Sequence, residues 1–260
     1  MSKEKDVDAD ARPWLRQGDA AIRFEWGVPG INALPSAIVV VVDVLRFTTA
    51  VDAGVSRGAV VLPYRWNDDT AKDFALRMHA TLADPGDERG PSLSPISLRS
   101  LRRGDRVVLP SPNGSTCAVT ASEKGSVVVA SCLRNASAVA AWLMQQSGTV
   151  TVIACGERWP DDSLRPALED YLGAGALIGA LTGEKSPEAE TAVHVWQANR
   201  DRLHEVVSSC VSGREAIQRG WRGDLDFALD VDASRCVPML RDDGFVDVAH
   251  ETLAPEVLEQ

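Results

Sequence analysis

The chain has 260 residues, enough for one large domain or two modest subdomains with cores of their own. Hydrophobic residues make up 45% and charged residues 25%, and a net charge of -10 argues against nucleic acid or an anionic membrane surface as partner. Against that background an anionic ligand needs a local arginine cluster or a metal ion.

No apolar run approaches the ~20 residues of a membrane span, and the opening MSKEKDVDADARPW lacks the apolar stretch of a signal peptide. Residues 1–20 read as a polar, mobile lead-in, and residues 21–260 as the functional domain, with room for two α/β subdomains. Cys117, Cys132, Cys155, Cys210 and Cys236 are odd in number and show no CxxC spacing, which predicts free thiols in a reducing cytoplasm. His79, His194, His204 and His250 are too scattered for a zinc site built from neighbouring ligands.

In chain order, AIVVVVD (37–43) reads as a strand and FTTAVDAGV (47–55) as the helix after it. GAVVLPY (58–64) is a further strand, and DDTAKDFALRMHATLA (68–83) a helix whose aspartates favour its N-terminal end. Residues 84–97, rich in Pro, Gly and Ser, read as an exposed loop. Three more strand-to-helix units follow: RVVLPSPNG into STCAVTASEK, SVVVASCLRN into ASAVAAWLMQQ, and TVTVIACGERWPDDS into LRPALEDYLGAGALIGALT. Residues 181–190 form a break, with Gly183 ending one helix and Pro187 near the start of the next. The rest reads as a helical C-terminal part. Continuous rather than alternating apolar runs suit strands covered on both faces. The predicted fold is a three-layer α/β sandwich on a mostly parallel or mixed sheet, with two related α/β lobes.

In such sheets ligands bind where strand-to-helix loops gather, outside the carboxyl ends of the strands. The first loop places Asp43 at a strand end, Arg46 in the turn, and Thr48 and Thr49 in the first helical turn. That set suits a phosphate at a helix N-terminus, an arginine clamp and a hard oxygen ligand for Mg²⁺; it equally suits an Asp–Arg ion pair with threonine capping. The second loop offers Asn113, Gly114, Ser115 and Thr116, whose small residues bring backbone N–H groups close to an anion, or form a plain turn and cap. The third holds Arg134 and Asn135, the latter placed as a helix N-cap, with Cys132 a buried structural thiol. The fourth is the most polar, with Glu157, Arg158, Asp161, Asp162 and Arg165, then Glu169 and Asp170 on the next helix. Adjacent helical residues point about 100° apart, so one of Glu169 and Asp170 suits a metal while the other supports it. Asp161 and Asp162 read as solvated turn residues. No GxxxxGK[ST] occurs, and GAGALIG lies inside a helix, where glycines serve close packing. Hydroxyls, arginines and carboxylates on separate loops favour phosphoryl chemistry on a small molecule, with Mg²⁺ neutralising charge.

The ordered set DVLRFTTAV, PSPNGSTCA, SCLRNASAVA, CGERWPDDSLRPALEDYLGAG and SGREAIQRG…DLDFALDVDASRCVPML resembles the 2-phosphosulfolactate phosphatase family, the Mg²⁺-dependent phosphatases of coenzyme M biosynthesis. The resemblance runs from about Arg23 to Phe245 and implies a cytoplasmic α/β enzyme, homo-oligomeric, that releases phosphate from 2-phospho-3-sulfolactate. Residue by residue it carries over Asp43, Arg46, Thr48, Thr49, Asn113, Gly114, Thr116, Asn135, Glu169, Asp170, Ser212 and Gly213. Asp43 and Asp170, with Glu169 and Glu157 beside them, are then the metal candidates. Arg46, Thr48, Thr49, Asn113, Gly114, Ser115, Thr116, Asn135, Ser212 and Gly213 are candidates for phosphate and substrate, and Arg158 for the carboxylate or sulfonate end. Attack by water and attack by Asp43 both stay open. The chain departs from the family pattern at Phe47, where Ala is usual, at Ser115, which is inserted, and at Leu93, where Asn is expected. Its ERWPDDSLRP segment is of the bacterial type. A different phospho-hydroxy acid as substrate, and a non-catalytic binder of anionic metabolites, are the rival readings.

Overall fold

The computed structural model describes residues 13–18, 20–84 and 90–251. Of the lead-in, residues 1–12 and 19 lie outside the described residues. Pro13–Arg16 forms a 3₁₀ turn, and Gln17 Nε2 donates to the Phe24 carbonyl at 2.7 Å.

Among the described residues nine strands form one sheet, in the order β1-β7-β2-β6-β10-β11-β3-β5-β4. They are β1 (Ile22–Trp26), β2 (Ile38–Val42), β3 (Val60–Tyr64), β4 (Thr81–Leu82), β5 (Arg106–Pro110), β6 (Val127–Ser131), β7 (Val150–Ala154), β10 (Pro238–Arg241) and β11 (Gly244–Asp247). A separate two-stranded ribbon pairs β8 (Glu157–Arg158) with β9 (Leu164–Arg165).

The β2 run shows why its sequence is apolar throughout. Side chains alternate across a strand. Ile38, Val40 and Val42 join Val150, Val152 and Ala154 in a core with α6 (Ala136–Leu143), α7 (Leu168–Ala180) and α8 (Pro187–Asn199). Val39 and Val41 face the opposite core, with α1 (Gly27–Ala33), α2 (Phe47–Val55) and α5 (Gly114–Glu123). All five β2 residues are buried, each worth about 1.5–3 kcal/mol. Helices on both faces of the sheet give the three layers.

Two parallel blocks share the sheet, β1-β7-β2-β6 and β3-β5-β4. The β10–β11 hairpin joins them through three successive antiparallel pairings, so the blocks run in opposite senses. At about 20–25° of twist per step, the five steps from β2 to β5 accumulate roughly 100–125°. That twist turns the end of β5 back toward the end of β2, and α5 packs against β2, β3 and β6.

Three local expectations are corrected. The C-terminal part is not wholly helical: after α9 (Leu203–Ser209), α10 (Val211–Gln218) and α11 (Arg222–Ala228) it ends in the central hairpin. The helix expected over 68–83 covers only α3 (Asp69–Arg77). His79 adopts a left-handed φ of 49°, Ala80 N–H bonds back to the Ala75 carbonyl, and Thr81–Leu82 continues as β4. The loop expected over 84–97 is not exposed in its second half. Pro95 opens α4 (Pro95–Leu98), and Pro95 and Leu98 are buried in a turn that packs on α2 and α11; residues 85–89 lie outside the described residues.

Candidate active site

The loop after β2 is braced by its own hydroxyls. Thr48 Oγ1 donates to the Asp43 carbonyl at 2.7 Å and accepts from Asp43 N–H at 2.9 Å, while Thr49 Oγ1 donates to the Val44 carbonyl at 2.7 Å. Both threonines are fully buried, so their hydroxyls hold backbone. The helix N-termini are also occupied. Asp43 Oδ1 accepts from Phe47 N–H at 2.9 Å, at the start of α2, and Oδ2 from Gly114 N–H at 3.0 Å, at the start of α5. One carboxylate thus answers two helix dipoles. Residue 114 must be glycine for this approach, because a Cβ there would lie 2.2 Å from the Phe47 ring and 2.7 Å from Asp43 Oδ2.

Asp170, in the first turn of α7, ties in two more loops. Its Oδ1 accepts from Val44 N–H at 2.7 Å and its Oδ2 from Gly156 N–H at 2.9 Å. Neighbouring Glu169 is equally buried, and its Oε2 accepts from the Cys210 thiol at 3.5 Å. Both side chains therefore lie inside: Asp170 holds backbone with both oxygens, and Glu169 has only a thiol among its described hydrogen-bond partners. Glu157 Oε2 accepts from Asn113 Nδ2 at 2.9 Å.

Asp43, Glu157, Glu169 and Asp170 form one electrostatic cluster. Burial, then repulsion from Glu157 and Glu169, pushes Asp43 up to about 7. Burial and the charge of Asp43 push Asp170 well above the usual carboxylate range. Glu157 is raised by burial and by Glu169, with Arg165 offsetting part of its charge. Among the described residues no three His, Cys, Asp or Glu side chains stand close enough together to hold a metal ion as they are. In donor chemistry alone the four acids suit a hard divalent cation, since their side chains offer carboxylate oxygens.

Beside the cluster, a cleft of about 510 Å³ is lined by Asn113, Thr116, Glu157, Arg158 and Arg65, among others, and Glu157 alone of the four acids reaches it. Arg158 is exposed; its Nε donates to Asn113 Oδ1 at 3.3 Å and its Nη2 to the Pro112 carbonyl at 3.2 Å. On the Glu169 side, Arg165 Nη2 donates to Ser212 Oγ at 3.1 Å, and Gly213 N–H to Cys210 Sγ at 3.4 Å. Gly213 also permits a close backbone crossing, since a Cβ would meet the Val207 carbonyl at 1.8 Å. Arg46 leaves the loop toward α11 and pairs with Asp224.

Other candidates serve the scaffold. Ser115 Oγ donates to the Leu109 carbonyl at 2.8 Å. Asn135 occupies the N-cap position of α6 without capping it: Oδ1 accepts from Cys132 N–H at 2.8 Å, and Nδ2 donates to the Ala130 and Cys236 carbonyls. Arg134 pairs with buried Asp52 at 3.2 Å. The five cysteines are free, and burial raises the Cys132 thiol, as suits a structural residue. Asp161 is an exposed turn residue accepting from Ser163. Sequence reasoning missed Asp224, Trp221, Ser94, Cys210 and Arg65, which stand in helical or loop segments with no spacing to distinguish them.

Sequence comparison finds relatives along most of the chain. The family model for 2-phosphosulpholactate phosphatase matches residues 29–243. The 2-phosphosulfolactate phosphatase of Methanothermobacter thermautotrophicus is 27% identical over 219 residues, covering 83% of this chain and 92% of that protein. A probable 2-phosphosulfolactate phosphatase of Thermus thermophilus is 30% identical over 223 residues, 82% of this chain and 92% of that protein. One from Carboxydothermus hydrogenoformans is 28% identical over 211 residues, with 77% and 84% covered. With a match across most of its length, from the approach to β2 to the turn of the central hairpin, the chain belongs to the 2-phosphosulfolactate phosphatase family.

Proposed function

We propose that this protein is a Mg²⁺-dependent phosphatase that hydrolyses a small anionic phosphomonoester, with (2R)-phospho-3-sulfolactate and water giving 3-sulfolactate and phosphate. The names of its relatives support the substrate, and the observation that carries the cation dependence is the buried cluster of Asp43, Glu157, Glu169 and Asp170. Asp43 and Asp170 would define the site, each already oriented by two backbone N–H groups, and Glu157 and Glu169 would complete it. A bound Mg²⁺ supplies charge neutralisation at the phosphoryl oxygens and activation of water.

The chain's own groups divide in this reading by where they stand. Arg46, Asn113 and Thr116 are the phosphate-side candidates, whereas the Gly114 N–H is already given to Asp43. Arg158, on the open cleft, is the candidate for the sulfonate or carboxylate end. Ser212, linked to Arg165, and Gly213 shape the wall beside Glu169. Thr48, Thr49, Ser115 and Asn135 keep the loops in register through backbone hydrogen bonds. A binder without catalysis would have no need of several buried acids with raised proton affinity, and the cluster favours the enzyme.

The test is phosphate release from a panel containing phosphosulfolactate, phospholactate and unrelated phosphomonoesters, with Mg²⁺ and with chelator. The expected result is Mg²⁺-dependent turnover, fastest with phosphosulfolactate. Preference for phospholactate would move the substrate to another phospho-hydroxy acid. Absence of turnover from a folded protein would leave a metabolite-binding protein.

A further inference from the structure

Arg46 is held from two directions by a segment almost at the other end of the chain. Its Nη1 donates to Asp224 Oδ2 at 2.7 Å, and its guanidinium carbon lies 3.7 Å from the centroid of the Trp221 ring. Asp224 is buried, with its side chain 5% exposed, and its other oxygen accepts from Ser94 Oγ. Trp221 stands immediately before α11, and Asp224 in its first turn. Arg46 itself lies three residues after Asp43, at the N-terminal boundary of α2.

This is a poor way to build a strut alone. Desolvating an ion pair offsets much of its attraction, and apolar side chains would join α2 to α11 at least as stably. It is a good way to aim an arginine. A free arginine samples many rotamers, and stacking plus a salt bridge removes that freedom in advance. One face of the guanidinium and one Nη group are engaged, and among the described residues no hydrogen bond leaves from Nε or Nη2. That remaining edge has the fork geometry that matches phosphoryl oxygens.

We propose that Trp221 and Asp224 are positioning residues that hold the guanidinium of Arg46 with its Nε–Nη2 edge turned to the phosphoryl group of the substrate. The inference rests on the phosphatase reading above and adds to it two residues whose part in the reaction passes through Arg46, although Trp221 also packs on the core and faces Arg219. Ser94 fixes Asp224 in turn, which couples the 90–98 segment to the same arginine.

The test is a double-mutant cycle on kcat/KM with the Mg²⁺-loaded full chain, using Arg46→Ala, Asp224→Asn and the pair. Asp224→Asn is expected to lower kcat/KM by about 10- to 100-fold in the parent. It should cost no more than about twofold further in Arg46→Ala, because its effect passes through that residue. Losses that multiply, or an Asp224→Asn enzyme with parental kcat/KM, would overturn the inference. If Asp224→Asn fails to fold, Trp221→Phe and Trp221→Leu carry the test: the ring-preserving change should keep most activity and Leu should lose it, and equal activity in the two overturns the proposal. Inorganic phosphate binding, measured by calorimetry on the same variants, separates the two possible failures. A parent that binds phosphate without turning over any ester fails the phosphatase reading, and the cycle is then read in Kd. A parent that turns over with multiplicative losses fails the positioning inference alone. A parent that does neither fails both.

Discussion

Asp43 stands where a sequence reader expects a phosphate. The starts of α2 and α5 both point their N–H groups at its carboxylate, so the anion that satisfies them is part of the chain. This arrangement depends on Gly114, whose missing side chain lets the Phe47 ring and Asp43 pack directly on the α5 backbone. Gly114→Ala should therefore destabilise the fold by about 1–3 kcal/mol through overpacking and lower Mg²⁺-dependent phosphate release, as read by denaturant unfolding and kcat. Unchanged stability would contradict this close approach. Asp43 and Arg46 are legible in the sequence because charge after a buried run must have a purpose. The direction each side chain takes is not legible. Thr48 and Thr49 look like ligands and turn out to brace backbone, because a hydroxyl on the first helical turn reaches a carbonyl of the preceding loop as readily as a substrate.

At the scale of elements, β2, β5, β6 and β7 were readable from their apolar runs, each followed by a turn and a helix. The hairpin β10–β11 was not, although it sits mid-sheet and joins the two parallel blocks. Its strands have four residues each, include Pro238, and follow a long helical stretch, so the short alternation in PMLR and GFVD carries little weight beside the helical pattern before it. Tertiary pairing decides it: β10 lies against β6, and β11 against β3. Phe245 anchors the hairpin, fully buried and with its ring centroid 6.2 Å from that of Phe47 under the carboxylate loop. Phe245→Ala should cost about 3–5 kcal/mol in chemical denaturation, and should also impair phosphate release because it undercuts Phe47. A loss below about 1 kcal/mol would show that the hairpin is an appendage and not a bridge.

For the whole molecule, the fold makes one place costly. Strand ends from the β2, β5 and β7 loops meet α7 around four carboxylates with little positive charge to balance them. Asp43 is held near 7, and Asp170 and Glu157 are raised as well, so the folded protein keeps protons that the unfolded chain, with carboxylates near ~4, has released. A raised carboxylate contributes stability that is lost as pH climbs through the window between the unfolded and folded values, here about pH 4 to about pH 7. A divalent cation would reverse that trend by binding the deprotonated form. The central claim, that these four acids are a metal site, is tested most directly by thermal melts from about pH 5 to about pH 8, with Mg²⁺ and with chelator, on the parent and on Asp43→Asn. The expected result is a Tm that falls with rising pH in chelator, is restored by Mg²⁺ most strongly at the alkaline end, and responds much less to either in Asp43→Asn. A parent whose Tm ignores Mg²⁺ at every pH, or an Asp43→Asn protein with the full parental response, would contradict it.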